Sequence, residues 1–176
     1  NGSLQNYIMA HYGRCNGLRL SPDKKFCLSF GGEEKSSPSG SLCVWDAITW
    51  EKKHDYHIAD KTVSAIQAFV YPDNKTALIA TDEAERLLIN LENGTILRRM
   101  NDSGNYAVSM ELSPDGRTYA CGNGGPWLLG SKDHDIRIYD AHSHRLLQIL
   151  KGHTNKVEKI QFTRDDRRLV SCSYDG

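Results

Sequence analysis

Apolar and polar positions alternate over short stretches of this chain. Ile66, Ala68 and Val70 share one parity, as do Val108, Met110 and Leu112, and a period of two predicts strands with one buried face. Each such stretch runs into a turn signature: Leu20-Ser21-Pro22-Asp23, Val70-Tyr71-Pro72-Asp73, Leu112-Ser113-Pro114-Asp115 and Phe162-Thr163-Arg164-Asp165. Asp suits these turns because its carboxylate accepts hydrogen bonds from backbone N–H groups just ahead of it. A second strand is predicted directly after every turn, over 26–30, 76–80, 118–121 and 168–173, so each pair reads as a hairpin. Third strands follow at 42–46, 86–90 and 135–140, with fourth strands such as 95–100 and 145–150. The turn aspartates stand 50, 42 and 50 residues apart. The chain therefore repeats a four-stranded antiparallel meander with almost no helical periodicity, at the roughly 40–50 residues of propeller blades.

Composition narrows the class. Of 176 residues, 39% are hydrophobic and 25% charged, with 15 Gly and 5 Pro, which fits a globular chain and excludes collagen-like or low-complexity ones. Twenty-two Lys and Arg balance twenty-two Asp and Glu, so the broad cationic field of a non-specific nucleic-acid or anionic-membrane binder is missing. No apolar run exceeds four residues, as at 77–80, against about 20 for a membrane-spanning helix. No membrane insertion is expected. The five cysteines, Cys15, Cys27, Cys43, Cys121 and Cys172, are odd in number and lack a CxxC pair, which points to a reducing compartment, cytoplasmic or nuclear. Asn1, Asn74, Asn93 and Asn101 each begin a glycosylation pattern, but Asn is also the residue of tight turns. The start at Asn1, with no charged region and apolar core of a signal peptide, suggests that the gene begins upstream.

The units carry further marks. Trp45-Asp46 and Tyr139-Asp140 close a strand, Gly152-His153 precedes one, and Ser171-Cys172-Ser173-Tyr174-Asp175-Gly176 forms the last six residues. His153 stands twelve residues before Asp165, and His11 twelve before Asp23. In this order the residues resemble the WD40 repeat of β-propellers over the whole chain. The resemblance implies an all-β fold, a β-propeller built from four-stranded antiparallel WD40-like blades. Residues 1–10 align as the outer strand of a preceding blade, with a strand at 4–9. Blades follow at 11–60, 61–102 and 103–151, and 152–176 supplies the first two strands of another. That division predicts a portion of a longer propeller. The alternative is a small ring that closes on itself or by self-association.

The resemblance also implies a buried hydrogen-bond network in each blade. Its members are a His before the first strand, a Ser or Thr on the second, an Asp in the next turn and a Trp on the third. A satisfied polar network fixes the register that a small apolar face leaves loose. His11, Ser29 and Trp45 match in the first full unit, whose next turn offers no clear Asp, and His153, Ser171 and Asp175 match in the last. The third full-length unit has Asp133 and Tyr139, with Ser103 and Cys121 in place of His and Ser. The second has Lys61, Ile79, Glu83 and Ile89 at these places and is expected to rely on apolar packing.

Signals for chemistry are sparse. None of the seven histidines forms HExxH, and His54 and His57 fall on opposite faces of a strand. Gly31-Gly32 and Gly122-Asn123-Gly124-Gly125 precede no helix, so the amide cradle of a phosphate site is missing. No GxSxG elbow or cysteine signature marks a nucleophile. No enzyme activity, metal or cofactor is expected. Two connections do exceed repeat length: the polar 31–40, with Ser37-Pro38 as a candidate phosphoacceptor, and 122–130, with Pro126-Trp127-Leu128-Leu129. Both interrupt the same connection of the meander and should emerge on one rim of the disc, beside His11, Lys61, Ser103 and His153. An apolar tip there is costly in water unless it packs locally or meets a partner. The reading is a non-catalytic protein–protein interaction scaffold, a platform for assembling a multiprotein complex, with Trp127, Leu128, Glu33, Glu34 and Lys156 as candidate contacts. The alternative is a nucleic-acid-associated module of a ribonucleoprotein or chromatin complex. Its support is a scatter of basic pairs, Lys24-Lys25, Lys52-Lys53, Arg98-Arg99 and Arg167-Arg168, and the expected partners are other proteins rather than nucleic acid.

Overall fold

The computed structural model describes residues 10–11, 13–32, 41–58, 65–101, 106–124 and 133–176. Among these, fourteen strands and no helix form. In chain order they are β1 (Arg14–Leu20), β2 (Phe26–Gly32), β3 (Ser41–Asp46), β4 (Lys52–His57), β5 (Ala65–Val70), β6 (Thr76–Thr81), β7 (Glu85–Asn90) and β8 (Ile96–Asn101). Then come β9 (Ala107–Leu112), β10 (Thr118–Asn123), β11 (Ile136–Asp140), β12 (Leu146–Leu150), β13 (Val157–Phe162) and β14 (Leu169–Ser173). Consecutive strands pair in antiparallel order into three four-stranded sheets, β1 to β4, β5 to β8 and β9 to β12, with β13 and β14 as a two-stranded sheet. This is an all-β portion of a propeller. The expected outer strand at 4–9 lies outside the described residues.

The sheets stack through their first strands: β1 packs on β5, β5 on β9 and β9 on β13. Each interface is its own small core. Leu28, Phe30, Val44, Ala68, Ile79 and Leu87 fill the first, and Phe69, Leu78, Met110, Tyr119 and Tyr139 the second. Ala120, Ile136, Val157 and Ile160 form the third. Sandwiching between two neighbours explains β6 and β10, which are buried on both faces along most of their length, and β2 is buried as well. Leu18 and Leu20 on β1 and Val170 on β14 are more than half exposed.

Two glycine segments differ from the sequence expectation. Gly31 and Gly32 belong to β2 and pair with Cys15 and Arg14, and Gly122 and Asn123 belong to β10, so both connections begin later than their composition suggests. The reason is close approach rather than looseness. A Cβ on Gly31 would stand 2.0 Å from the Arg14 carbonyl oxygen. One on Gly122 would meet Ser109 Oγ at 2.3 Å and the Val157 side chain of the next sheet at 2.8 Å.

Candidate interaction faces and polar junctions

In the first sheet, β2 and β3 bring Ser29 and Trp45 together beneath His11. Trp45 Nε1 donates to Ser29 Oγ at 2.8 Å, and Ser29 Oγ lies 2.8 Å from His11 Nε2. Burial lowers the His11 pKa, with nearby Asp55 opposing the effect, so a neutral Nε2 accepts the Ser29 hydroxyl proton. In the last sheet, His153 Nδ1 donates to Asp175 Oδ2 at 2.9 Å and His153 Nε2 lies 2.8 Å from Ser171 Oγ. Asp175 also accepts from the Thr154 backbone N–H, the main cause holding its carboxyl below the usual range. In the third sheet, Asp133 and Tyr139 take different roles. Burial works against ionisation of Asp133, but a two-bond fork from Arg137 at 3.1 and 2.6 Å keeps its pKa low. Tyr139 stacks on Tyr119 with ring centres 5.1 Å apart. The second sheet places Ile79 and Ile89 in the apolar core. Lys61 and Ser103 lie outside the described residues.

Sequence reasoning missed a junction between the second and third sheets. Arg86 is buried, donates to the Tyr119 hydroxyl, and holds its guanidinium carbon 3.9 Å from the centre of the Tyr139 ring. The Tyr119 oxygen in turn lies 3.4 Å from His144 Nδ1. Burial, reinforced by Arg98 and Arg86, drives His144 down to about 4, so its neutral ring accepts the Tyr119 proton. Tyr71 completes the group by donating to the Ala141 carbonyl at 3.1 Å. Nothing local betrays this cluster, because Arg86 sits on one sheet and Tyr119 and His144 on the next.

One rim is built from hydrogen-bonded turns. Asp23, Asp73, Asp115 and Asp165 each accept from the backbone N–H two residues ahead, at 2.9 to 3.2 Å. The Asp of Trp45-Asp46 and Tyr139-Asp140 does similar work, Asp46 accepting from Ile48 and Thr49 and Asp140 from His142 and Ser143. One left-handed residue follows in each first hairpin: Lys24, Asn74, Gly116 and Asp166. Two of these side chains stitch neighbouring sheets. Asn74 Oδ1 accepts from Asp23 N at 3.1 Å and Asp166 Oδ1 from Asp115 N at 3.3 Å, whereas Gly116 has no side chain to offer Asp73.

The other ends of the same strands define the opposite rim. Arg14 pairs with Gly32, Ala65 with Thr81, Ala107 with Asn123 and Val157 with Ser173. The start of every first strand thus lies beside the end of its second, where the connections to β3 and β11 leave. Lys156 sits at this rim, with Nζ 2.7 Å from Glu158 Oε2 and 5.7 Å from the Tyr174 ring centre. Glu33, Glu34, Trp127 and Leu128 lie outside the described residues. Between the rims, a cavity of about 340 Å³ is lined by first-strand side chains including Arg19, Gln67, Glu111 and Lys159. Burial raises the Glu111 pKa against the pull of Arg19 and Lys159. Among the described residues no cluster of three or more His, Cys, Asp or Glu is placed to hold a metal, and no helix is long and apolar enough to cross a membrane.

The family model for the WD domain, G-beta repeat, matches residues 144–176, the segment that contains the His153, Ser171 and Asp175 junction. An uncharacterized WD repeat-containing protein of Synechocystis sp. is 26% identical over 104 residues, 59% of this chain and 27% of its own length. The matched repeat and this relative support the WD40-repeat family for the chain. Autophagy-related protein 16 of Arabidopsis thaliana is 21% identical over 99% of this chain and 31% of its own length. Cilia- and flagella-associated protein 57 of Mus musculus is 37% identical over 54 residues, 31% of this chain and 4% of its own. The chain thus spans less than a third of each of these relatives. WD40 repeats support a protein-interaction scaffold in general, and the family is generally non-catalytic.

Proposed function

We propose that this WD40 chain is a docking platform on which a multiprotein complex assembles, and that its working face is the rim bearing the connections from β2 to β3 and from β10 to β11. The observation that carries this reading is the strand pairing. It brings the ends of β2 and β10, from which both long connections leave, and the starts of β1, β5, β9 and β13 to one edge of a stiff stack. Rigid sheets supply the geometry while loops vary independently. Trp127 and Leu128 are the proposed apolar anchors, with Glu33, Glu34 and Lys156 as the charged surround. The exposed Leu18, Leu20 and Val170 support a further reading, that sheets of a larger propeller cover these faces.

The test is affinity purification with the full chain as bait beside a Trp127→Ala, Leu128→Ala double variant. Co-purifying proteins should fall away with the double variant while its thermal unfolding stays unchanged. Equal recovery from both baits would remove the rim from the account.

A further inference from the structure

The outermost strands β4, β8 and β12 occupy the same place in their sheets. Their pairing makes Lys52, Ile96 and Leu146 equivalent, then His54, Arg98 and Gln148, then Asp55, Arg99 and Ile149. All three leave one backbone edge without a neighbouring strand among the described residues. Such an edge pairs with any extended chain, and charged side chains are the usual guard against it. β4 carries Lys52, Lys53 and Asp55, and β8 carries Arg98 and Arg99. β12 carries none. It reads Leu146-Leu147-Gln148-Ile149-Leu150, with Leu146, Leu147 and Ile149 each more than 40% exposed. Its charges are confined to the ends, where Arg145 and Lys151 are both exposed.

We propose that the open edge of β12 is a strand-addition site for an extended segment of a partner protein, apolar at alternating positions and acidic at both ends. Edge backbone groups are satisfied only by another extended backbone, and the exposed Leu and Ile side chains supply the apolar contacts that hold it. The terminal cations select the acidic flanks. They also disfavour a second copy of this chain, because antiparallel β12–β12 pairing would set Arg145 against the other copy's Lys151 at both ends. The site lies at the periphery, away from the rim proposed above, so either assignment stands or falls alone.

The test uses the full chain and a fluorescein-labelled peptide, Glu-Glu-Val-Thr-Val-Thr-Val-Glu-Glu, read by anisotropy. This peptide should bind about tenfold tighter than versions with Lys flanks or a central proline. A Leu147→Lys, Gln148→Arg variant, which copies the guards of Lys53 and Arg98, should lose that binding, and Trp127→Ala should keep it. An Arg145→Glu, Lys151→Glu variant leaves the apolar contacts intact and should prefer the Lys-flanked peptide. Equal binding of acidic and basic peptides, or undiminished binding by the guarded variant, would overturn the proposal. So would sedimentation showing a dimer that the guarded variant abolishes, since the occupant would then be a second copy.

Discussion

Ser29 carries two obligations at once, accepting from Trp45 Nε1 and contacting His11 Nε2 in a fully buried position. Ser29→Ala would leave the buried indole N–H without that acceptor, a loss of about 1–3 kcal/mol. Urea unfolding should show the midpoint falling with an unchanged slope. This junction was legible in the sequence, as was that of His153, Ser171 and Asp175, because the WD40 spacing fixes which side chains meet. The Arg86, Tyr119 and His144 junction was not, since its members join only when two sheets stack. The glycines misled for a related reason. Gly31 and Gly122 resemble loop composition, but they sit in strands where a neighbouring backbone or side chain occupies the space of a Cβ. Gly31→Ala must push the Arg14 carbonyl out of the β1–β2 ladder and should destabilise far more than a Ser37→Ala control. Differential scanning calorimetry of the two variants checks this.

At the scale of elements, order and pairing were readable and boundaries shifted by a residue or two, because alternation marks a strand's body better than its ends. The tight turns between third and fourth strands show why local chemistry matters. Gly94 adopts φ 73°, and a Cβ there would reach the Tyr56 ring at 2.3 Å. Trp50 and His144 hold the same kind of conformation, both at φ 60°, in the corresponding turns. Gly94→Ala should therefore lower the melting temperature by several degrees, combining left-handed strain of about 1–2 kcal/mol with displacement of Tyr56. A Gly94→Asn variant tolerates the backbone but not the contact, and should fall between wild type and a β-branched substitution such as Gly94→Val. Limited proteolysis between β7 and β8 would report the same ranking.

For the whole molecule, stability resides in the joints between sheets, and the second joint is made differently from the first and third. The first has the Asn74 stitch, and Asn74→Gly, which keeps the φ of 57° comfortable, should cost about 0.5–1.5 kcal/mol through the lost hydrogen bonds alone. The second lacks a stitch at Gly116 and relies on the aromatic rings, Arg86 and a neutral His144. A histidine held near 4 in the folded chain and near its ordinary value when unfolded takes up its proton first in the unfolded state. Its contribution is therefore complete above about pH 6.5 and is withdrawn as pH falls toward 4, by at most about 1.4 kcal/mol per pH unit. Melting curves across that window should fall less steeply for His144→Asn than for wild type.

The absent stitch at Gly116 sets where the stack would part under acid. With no stitch of the Asn74 kind at Gly116, the seam between β5–β8 and β9–β12 depends on the aromatic and Arg86 contacts and on Tyr71 reaching Ala141, and it is the one weakened once His144 charges. Mild acidification should bring the amides of β6 and β10 into hydrogen exchange before those of β2, so the chain would come apart from its middle rather than fray from its ends.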